Sequence, residues 1–397
     1  MFLEPQTEVT APERERGLRN LLIDAAFATA IGALNSGVVL LALAIHIGAT
    51  TPQIGVLAAI PLLTQMLQAP AVTLVERVRR RRLISIASVF TARLALPIYA
   101  AIPFIPDRDA AAAVLISAAL LHYGLNAVGA CSWNSWMRDL IPSDRLGAFF
   151  SRRGVYGTLV SAIATIAAAY ALERASGSES AGDRVFFWLY VVGFGCGLVS
   201  TAALARVPEP RMPPASGTAP LRRLLWQPLR DPEFRLVLRY LASWHFAVNL
   251  ATPFLTVYFV RELGYSLGFV LLLTVVSQLA NVAVVRDWGA LSDRFANKSV
   301  LSAASPLFLL CIVAVAFAGE LESTDVRAGY LILLRIIMGA AQAGVGLATG
   351  NIVIKLSPSG SATGYMATNA LVGAVASGTA PIIGGCSPNS SRAVSSR

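Results

Sequence analysis

The chain holds 397 residues, 55% of them hydrophobic and only 14% charged, with a mean hydropathy of +0.63. A soluble domain carries about 25% charged residues, so a water-facing globule is excluded. A net charge of +10 would fit a nucleic-acid partner in a soluble protein. Here no basic run carries interleaved aromatics for base stacking, so the charge reads as loops retained on the cytoplasmic side of a membrane, with no nucleic acid involved.

Residues 1–20 mix Glu4, Glu8, Glu13 and Glu15 with Arg14, Arg16 and Arg19. That is not the pattern of a signal peptide, so the first apolar run is read as an uncleaved span. Runs long enough to cross a hydrocarbon core of roughly 30 Å lie at 23–47, 54–75, 83–103, 110–135, 155–172, 185–204, 235–259, 267–286, 299–318, 329–350 and 366–384, eleven in all. Helices are expected, because backbone groups in lipid must pair within the segment, and period-two alternation of a barrel is absent. The fold class predicted is an all-α polytopic membrane protein.

With the N-terminus inside, the inner connections hold 21 Lys and Arg residues against seven in the outer ones. This bias places the N-terminus in the cytoplasm and the chain as a multi-pass protein of the cytoplasmic (inner) membrane. Residues 205–234 carry seven prolines and read as a cytoplasmic linker too short and proline-rich to fold. Its end, LRRLLWQPLRDPEFR, is either a basic amphipathic piece on the inner leaflet or a plain tether. The linker separates a six-helix bundle over 1–204 from a five-span bundle over 235–385, with a polar tail at 386–397. Cys131, Cys196, Cys311 and Cys386 show no paired spacing, so neither a disulfide framework nor a metal site is expected.

Comparing the halves brings out a repeat. IGVLAAIPLLTQ (54–65) matches LGFVLLLTVVSQ (267–278) at a spacing of 213, and LIPSDRLGAFFSRRGVYG (140–157) matches LSPSGSATGYMATNALVG (356–373) at 216. The two spacings together argue for duplication of a six-helix unit.

After the eighth span the chain reads Gly289-Ala-Leu-Ser-Asp293-Arg294-Phe-Ala-Asn-Lys298. This resembles the Gly-x-Leu-x-Asp-Arg loop of the major facilitator superfamily, found between spans 2 and 3 and again between spans 8 and 9. The first-half copy, VTLVERVRRRR (72–82), has Glu76-Arg77 for Asp-Arg and Val72 for the glycine. A glycine allows close approach of a neighbouring helix, and a carboxylate at a helix N-terminus gains up to about 1 kcal/mol from the dipole. The resemblance implies that Asp293 braces the helix beginning near Tyr365, and Glu76 its counterpart near Gly154. A second match is LILLRIIMGAA (331–341), similar to the family's Leu-x-x-x-Arg-x-x-x-Gly. Trp-x-x-Trp-Met-x-Asp-Leu in CSWNSWMRDLIPSDRLGAFFSRR (131–153) is similar to wording in bacterial members, and Arg138, Asp139, Asp144 and Arg145 there suit an ion-pair network.

The resemblance also implies that spans 1, 4, 7 and 10 line a central cavity. Their polar residues are Asp24, Asn35, His122, Asn126, Trp133, Asn134, His245, Asn249, Arg335 and Gln342, and spans 2 and 8 add Gln65, Gln68, Gln278 and Asn281. Any amide among them equally suits a helix–helix contact, worth about 0.6 kcal/mol on average. A mid-membrane arginine costs about 2.5–3.5 kcal/mol, which favours a functional Arg335 facing protein or water; Arg93 is read as structural. Asp24, the one carboxylate inside a span, either couples protons, as His122 or His245 would, or stabilises a helix start. Cations outnumber carboxylates in this set, which suits an anionic or neutral polar substrate. Gly193-x-x-x-Gly197 and Gly346-x-x-x-Gly350 allow close helix contacts, and GTAPIIGG (378–385) is read as packing.

No GxxxxGK[ST], GxSxG or HExxH motif occurs, so neither an enzyme nor a cofactor is expected. The polar ending CSPNSSRAVSSR stands where the family has a twelfth span, and reads as a truncated or frame-shifted frame rather than an eleven-span variant. The functional expectation is a monomeric secondary transporter moving a small molecule through the lipid bilayer by alternating access, with a proton as candidate coupling ion. The alternatives are a transport-inactive sensor or assembly partner and a truncated, non-functional product.

Overall fold

Among the described residues the eleven apolar runs are helical apart from a break at Gly37 in the first. The computed structural model describes residues 4–35, 37–175, 177–212, 221–356 and 362–386, and within them omits the side chains of 143–148, 150, 151, 155, 221–225, 293, 296, 354, 355, 362–364 and 367. The side chains of Asp144, Arg145 and Asp293, and the tail from 387 on, therefore lie outside the described residues. The long helices are α1 (Ala11–Asn35) with α2 (Val38–His46), α3 (Thr51–Leu63) continuing into α4 (Gln68–Val78), α5 (Arg81–Arg93) into α6 (Ala95–Ala101), α7 (Arg108–Leu140), α8 (Ser143–Arg174) and α9 (Glu179–Leu204). After α10 (Leu221–Arg230) come α11 (Pro232–Val257), α12 (Leu267–Ala316), α13 (Thr324–Leu356) and α14 (Ala362–Gly385).

Among the described residues nine helical stretches are long and apolar enough to cross a membrane, not eleven. The helices α11 and α14 are not among them; α11 carries Glu233, Arg235, Arg239, His245 and Asn249. The starts are set by polar caps. Thr50 and Gln53 form a reciprocal capping box on α3, Asp231 accepts from the Glu233 and Phe234 amides ahead of α11, and Ser266 accepts from the Phe269 amide at the head of α12. The first helix starts well before the predicted 23, because Thr10 donates from both its amide and its hydroxyl to Glu13 at 3.0 and 2.8 Å. It breaks at Gly37, whose φ of +56° is left-handed and open to glycine at little cost.

The chain forms two compact units, residues 1–218 with 385–397, and 219–384. In the first, Leu21, Trp136, Met137, Leu140, Ile141, Phe149, Leu204 and Val207 form a buried cluster. In the second, Phe234, Leu238, Leu241, Val353 and Tyr365 do so. The units repeat at a spacing of 216: α3 starts at Thr51 and α12 at Leu267, while α7 and α13 each run 33 residues from Arg108 and Thr324. Contacts repeat too. Thr29 abuts Gly157 in the first unit as His245 abuts Gly373 in the second. The sequence match at 213 is therefore three residues out of register, and the match at 216 is in register.

Two expectations are corrected. The stretch 287–298 is not a loop between helices but a helical turn inside α12. Trp288 donates to the Ala340 carbonyl, Asn351 to Asn297 Oδ1, and Tyr330 to the Ala314 carbonyl. As α12 advances from 277 to 288 its partner positions on α13 rise from 339 to 344, and from 297 to 314 they fall from 351 to 330. The helix folds back on itself between Trp288 and Asn297. The linker, in turn, is not an unfolded tether. Residues 207–211 pack on the first unit, with Val207 and Glu209 fully buried, and pair with the N-terminal segment through Gln6 N to Glu209 O and Arg211 N to Gln6 O. Residues 221–230 are helical despite Pro228.

Candidate functional site

At the α4–α5 turn of the first unit a buried guanidinium gathers four acceptors. Arg81 donates to Asp139 Oδ2 at 2.5 Å, to the Ser135 carbonyl at 2.9 Å and to the Pro210 carbonyl at 2.8 Å, and lies 3.6 Å from Glu209 Oε1. Glu209 also accepts the backbone amides of Arg81 and Arg82 at 2.6 and 3.1 Å, so it caps α5. Burial pushes its carboxyl above the usual range against the pull of those amides. Of the four residues of the expected network Asp139 pairs with Arg81 and Arg138 is exposed, while the side chains of Asp144 and Arg145 lie outside the described residues. Glu76 and Arg77 are exposed as well, and Glu76 makes no ion pair among the described side chains. Its predicted partner region at Gly154 has nothing within 4 Å of an added Cβ.

Deeper in the same unit, Arg93 donates to the Gly197 carbonyl at 2.5 Å, to Ser200 Oγ at 2.7 Å and to Thr201 Oγ1. Ser200 passes its own hydrogen to Asp24 Oδ1 at 2.5 Å. Asp24 lies thirteen residues into α1, so it does not stabilise a helix start. His122 is buried, with Nδ1 2.9 Å from the Ala92 carbonyl, its ring beside Tyr99, which meets Tyr190 edge-on. Asn126 and Asn35 donate to carbonyls four residues back in their own helices. The Asn35 amide also lies against Gly193, where a Cβ would come within 2.6 Å of Oδ1, and Gly197 lies against Arg93. That glycine pair makes the close contact expected. Gly346 and Gly350 do not, because an added Cβ at either meets nothing within 4 Å. Asn134 and Gln342 are exposed.

In the second unit Arg335 sets its guanidinium 5.6 Å from the centre of the Phe259 ring, and its Nε is buried with no hydrogen-bond partner. Gln278 Oε1 is buried and partnerless too. One turn beyond Arg335, Gly339 packs on the backbone of Ser277, the residue before Gln278, so the two orphaned groups sit within about one helical turn of the same level. Asn249 donates to the His245 carbonyl at 2.8 Å. Gly289 is less tight than expected: an added Cβ would meet Leu347 at 3.8 Å, an ordinary contact. The close approach falls one residue earlier and on the other helix, where Gly344 admits the Trp288 indole at 2.8 Å. Arg294 is exposed, over the Phe295 ring.

At the head of α11, Asp231 accepts the Tyr365 hydroxyl at 2.9 Å in addition to its helix amides. The Tyr365 bond first, and the Phe234 amide next, hold its carboxyl below the usual range. A depressed carboxyl contributes stability above the unfolded value, near pH 4, and loses it as pH falls through the lower folded value. The thermal midpoint of the wild type should therefore drop on acidification from pH 6 to pH 3 more steeply than that of Asp231→Asn, which caps without titrating. Equal slopes in a pH series of melts would refute this role.

Arg81, Glu209, Ser200, Tyr99, Tyr190 and Phe259 were not singled out as site residues by sequence reasoning. The one available signal was Glu209, an acid enclosed by Pro208 and Pro210. Among the described residues no group of three His, Cys, Asp or Glu side chains could hold a metal ion.

A family model, the Major Facilitator Superfamily, matches residues 25–381. Among solved structures, a point mutant of the nucleoside transporter NupG aligns with a TM-score of 0.70 at 12% identity, over 93% of this chain and 90% of that one. A bacterial homolog to the human lysosomal transporter Spinster, inward-facing and unoccupied, gives 0.65 at 16% identity over 94% and 82%. The xylose transporter XylE from E. coli, inward open, gives 0.64 at 12% over 96% and 90%. Likeness at these identities is a likeness of fold. No curated protein matches the sequence.

Proposed function

This chain belongs to the Major Facilitator Superfamily, and from that premise we propose that it is a secondary transporter carrying a small anionic or neutral polar solute by alternating access. The reading takes it as a carrier and not an enzyme, acting as a monomer in the cytoplasmic membrane with its N-terminus inside. The observation that carries it is the pair of buried, partnerless polar atoms, Arg335 Nε and Gln278 Oε1. Each unmet group of this kind costs about 1–3 kcal/mol, and a solute offering an acceptor to one and a donor to the other removes that cost. Asp24 and His122 are already engaged by Ser200 and the Ala92 carbonyl. This leaves the half-buried ring of His245, beside Gly373, as the candidate proton carrier.

The test is counterflow in proteoliposomes with a panel of labelled sugars, nucleosides and organic anions, with and without a proton gradient. Arg335→Gln should lower the initial rate of the transported solute about ten- to a hundredfold, since a hydrogen bond to a charged group is worth about 1.5–3 kcal/mol and 1.4 kcal/mol is a decade. A solute that raises the thermal midpoint yet shows no counterflow would instead identify a sensor. Flux undiminished in Arg335→Gln would remove that residue from the path.

A further inference from the structure

In the first unit one arginine has nothing to donate to. Arg153, on α8, holds its guanidinium 4.7 Å from the centre of the Trp133 ring on α7. Its Nε is buried and unbonded, and its terminal nitrogens meet no acceptor among the described residues. Arg81 and Arg93 of the same unit each have three or more. The depth of Arg153 is fixed from both sides. One turn earlier Phe149 packs in the cluster with Leu21 of α1. One turn later Gly157 abuts Thr29 of α1, an added Cβ falling 3.1 Å from Oγ1. Arg153 is therefore level with Asp24 and Ala25. A cation this near the inner end of a span normally swings its head to water; here the half-buried side chain lies on the indole instead. Arg335 in the second unit is dressed alike, over the Phe259 ring with its Nε unbonded. Duplication does not supply either group, because the residues 216 away are Asn369 and Ala119.

A guanidinium stacked on an indole has its plane fixed and its edge free. That edge is a fork of donors matching the two oxygens of a carboxylate or phosphate. The back of the plate is firm, since Trp133 packs on the cluster of Leu21, Trp136 and Phe149. Asp24, the carboxylate at this level, takes the Ser200 hydroxyl and makes no ion pair with Arg153. Given the carrier reading above, we propose that Arg153 on Trp133 binds the oxyanion group of the solute in the first unit, so that the solute is an organic anion and not a neutral polar molecule. An amide or alcohol of the same shape offers the fork a weaker acceptor and gains less.

The full chain in mixed micelles would be melted against matched pairs: succinate and succinamide, benzoate and benzamide, glycerol phosphate and glycerol. At least one acid should bind the wild type about ten- to a hundredfold more tightly than its neutral partner, and Arg153→Gln should lose most of that preference. Arg153→Lys, which keeps the charge without the fork, should fall between them. Trp133→Leu should lower the preference with Arg153 in place, and Trp133→Phe should largely restore it. Without ligand, Arg153→Gln should melt close to the wild type, because no hydrogen bond is lost. A panel in which no acid is preferred to its partner overturns the proposal. So does a preference that survives Arg153→Gln, or an unliganded midpoint that falls as far as that of Arg93→Met. Counterflow separates this assignment from the carrier reading. An acid bound through Arg153 without counterflow leaves the plate standing and removes the carrier; counterflow of a neutral solute with no acid preferred does the reverse.

Discussion

Gly339→Ala is expected to be among the most damaging single-methyl additions in the protein. An added Cβ at this position falls well inside contact distance of the Ser277 carbonyl oxygen, and 2.9 and 3.0 Å from the carbon and Cα behind it. Those are backbone atoms of α12, which cannot rotate away as a side-chain tip can. Overpacking of a tight interior costs about 1–3 kcal/mol, and here the whole first arm of α12 would have to move off α13. Arg335 and Gln278 sit at that level, so the shift would also spoil the candidate solute contacts. The control is Gly346→Ala on the same helix, where nothing lies within 4 Å of the new methyl; the better helix propensity of alanine should make it neutral or stabilising by up to about 1 kcal/mol. Unfolding titrations of the three proteins in mixed micelles would decide it. Equal midpoints for Gly339→Ala and Gly346→Ala would mean that the two helices are not in backbone contact.

That contrast also shows where sequence reasoning reached its limit. Apolar runs of about 20 residues have one physical outcome in lipid, a helix, which is why the all-helical class was legible even though only nine of the eleven predicted spans are long and apolar enough to cross a membrane among the described residues. The glycines were another matter. Gly193 and Gly197 touch a neighbour and Gly346 and Gly350 do not, although both pairs share one spacing, because spacing says which face a residue is on and not what lies opposite. Arg81 sat in a run of four arginines that charge counting explains completely. Its burial depends on Glu209, some 130 residues later in a proline-rich stretch, and on Asp139. Such convergence leaves no local trace. The pattern around Arg335 fared better, since a mid-span arginine with glycine one turn later is costly unless each has a task, and the structure gives Gly339 one in the contact with Ser277. The motif at 287–298 was legible as a reversal of chain direction, but not as a reversal made within helical backbone.

The second large effect concerns Asp24, Ser200 and Arg93. In a membrane bundle an ordinary interhelical hydrogen bond contributes about 0.6 kcal/mol, so if this were a set of neutral bonds no single change would matter much. Charge makes the difference. Asp24 and Arg93 are both buried, at 5% and 4% exposure, and are joined through one hydroxyl that accepts from Arg93 and donates to Asp24. Removing one partner of a buried charged pair costs about 3–5 kcal/mol, mostly as the penalty on the charge left behind. Arg93→Met strands Asp24 and should fall in that range. Asp24→Asn should cost less, about 1 kcal/mol, because Arg93 keeps the Gly197 carbonyl and the Ser200 and Thr201 hydroxyls. The double variant should then recover much of the loss, since the stranded carboxylate is gone. Midpoints of the two single variants and the double in one micellar system close the cycle. If Arg93→Met is as mild as Asp24→Asn, or the double variant equals the sum of the two, the groups act independently. Asp24 would then be free of the structural duty assigned to it and would return as a candidate for proton coupling.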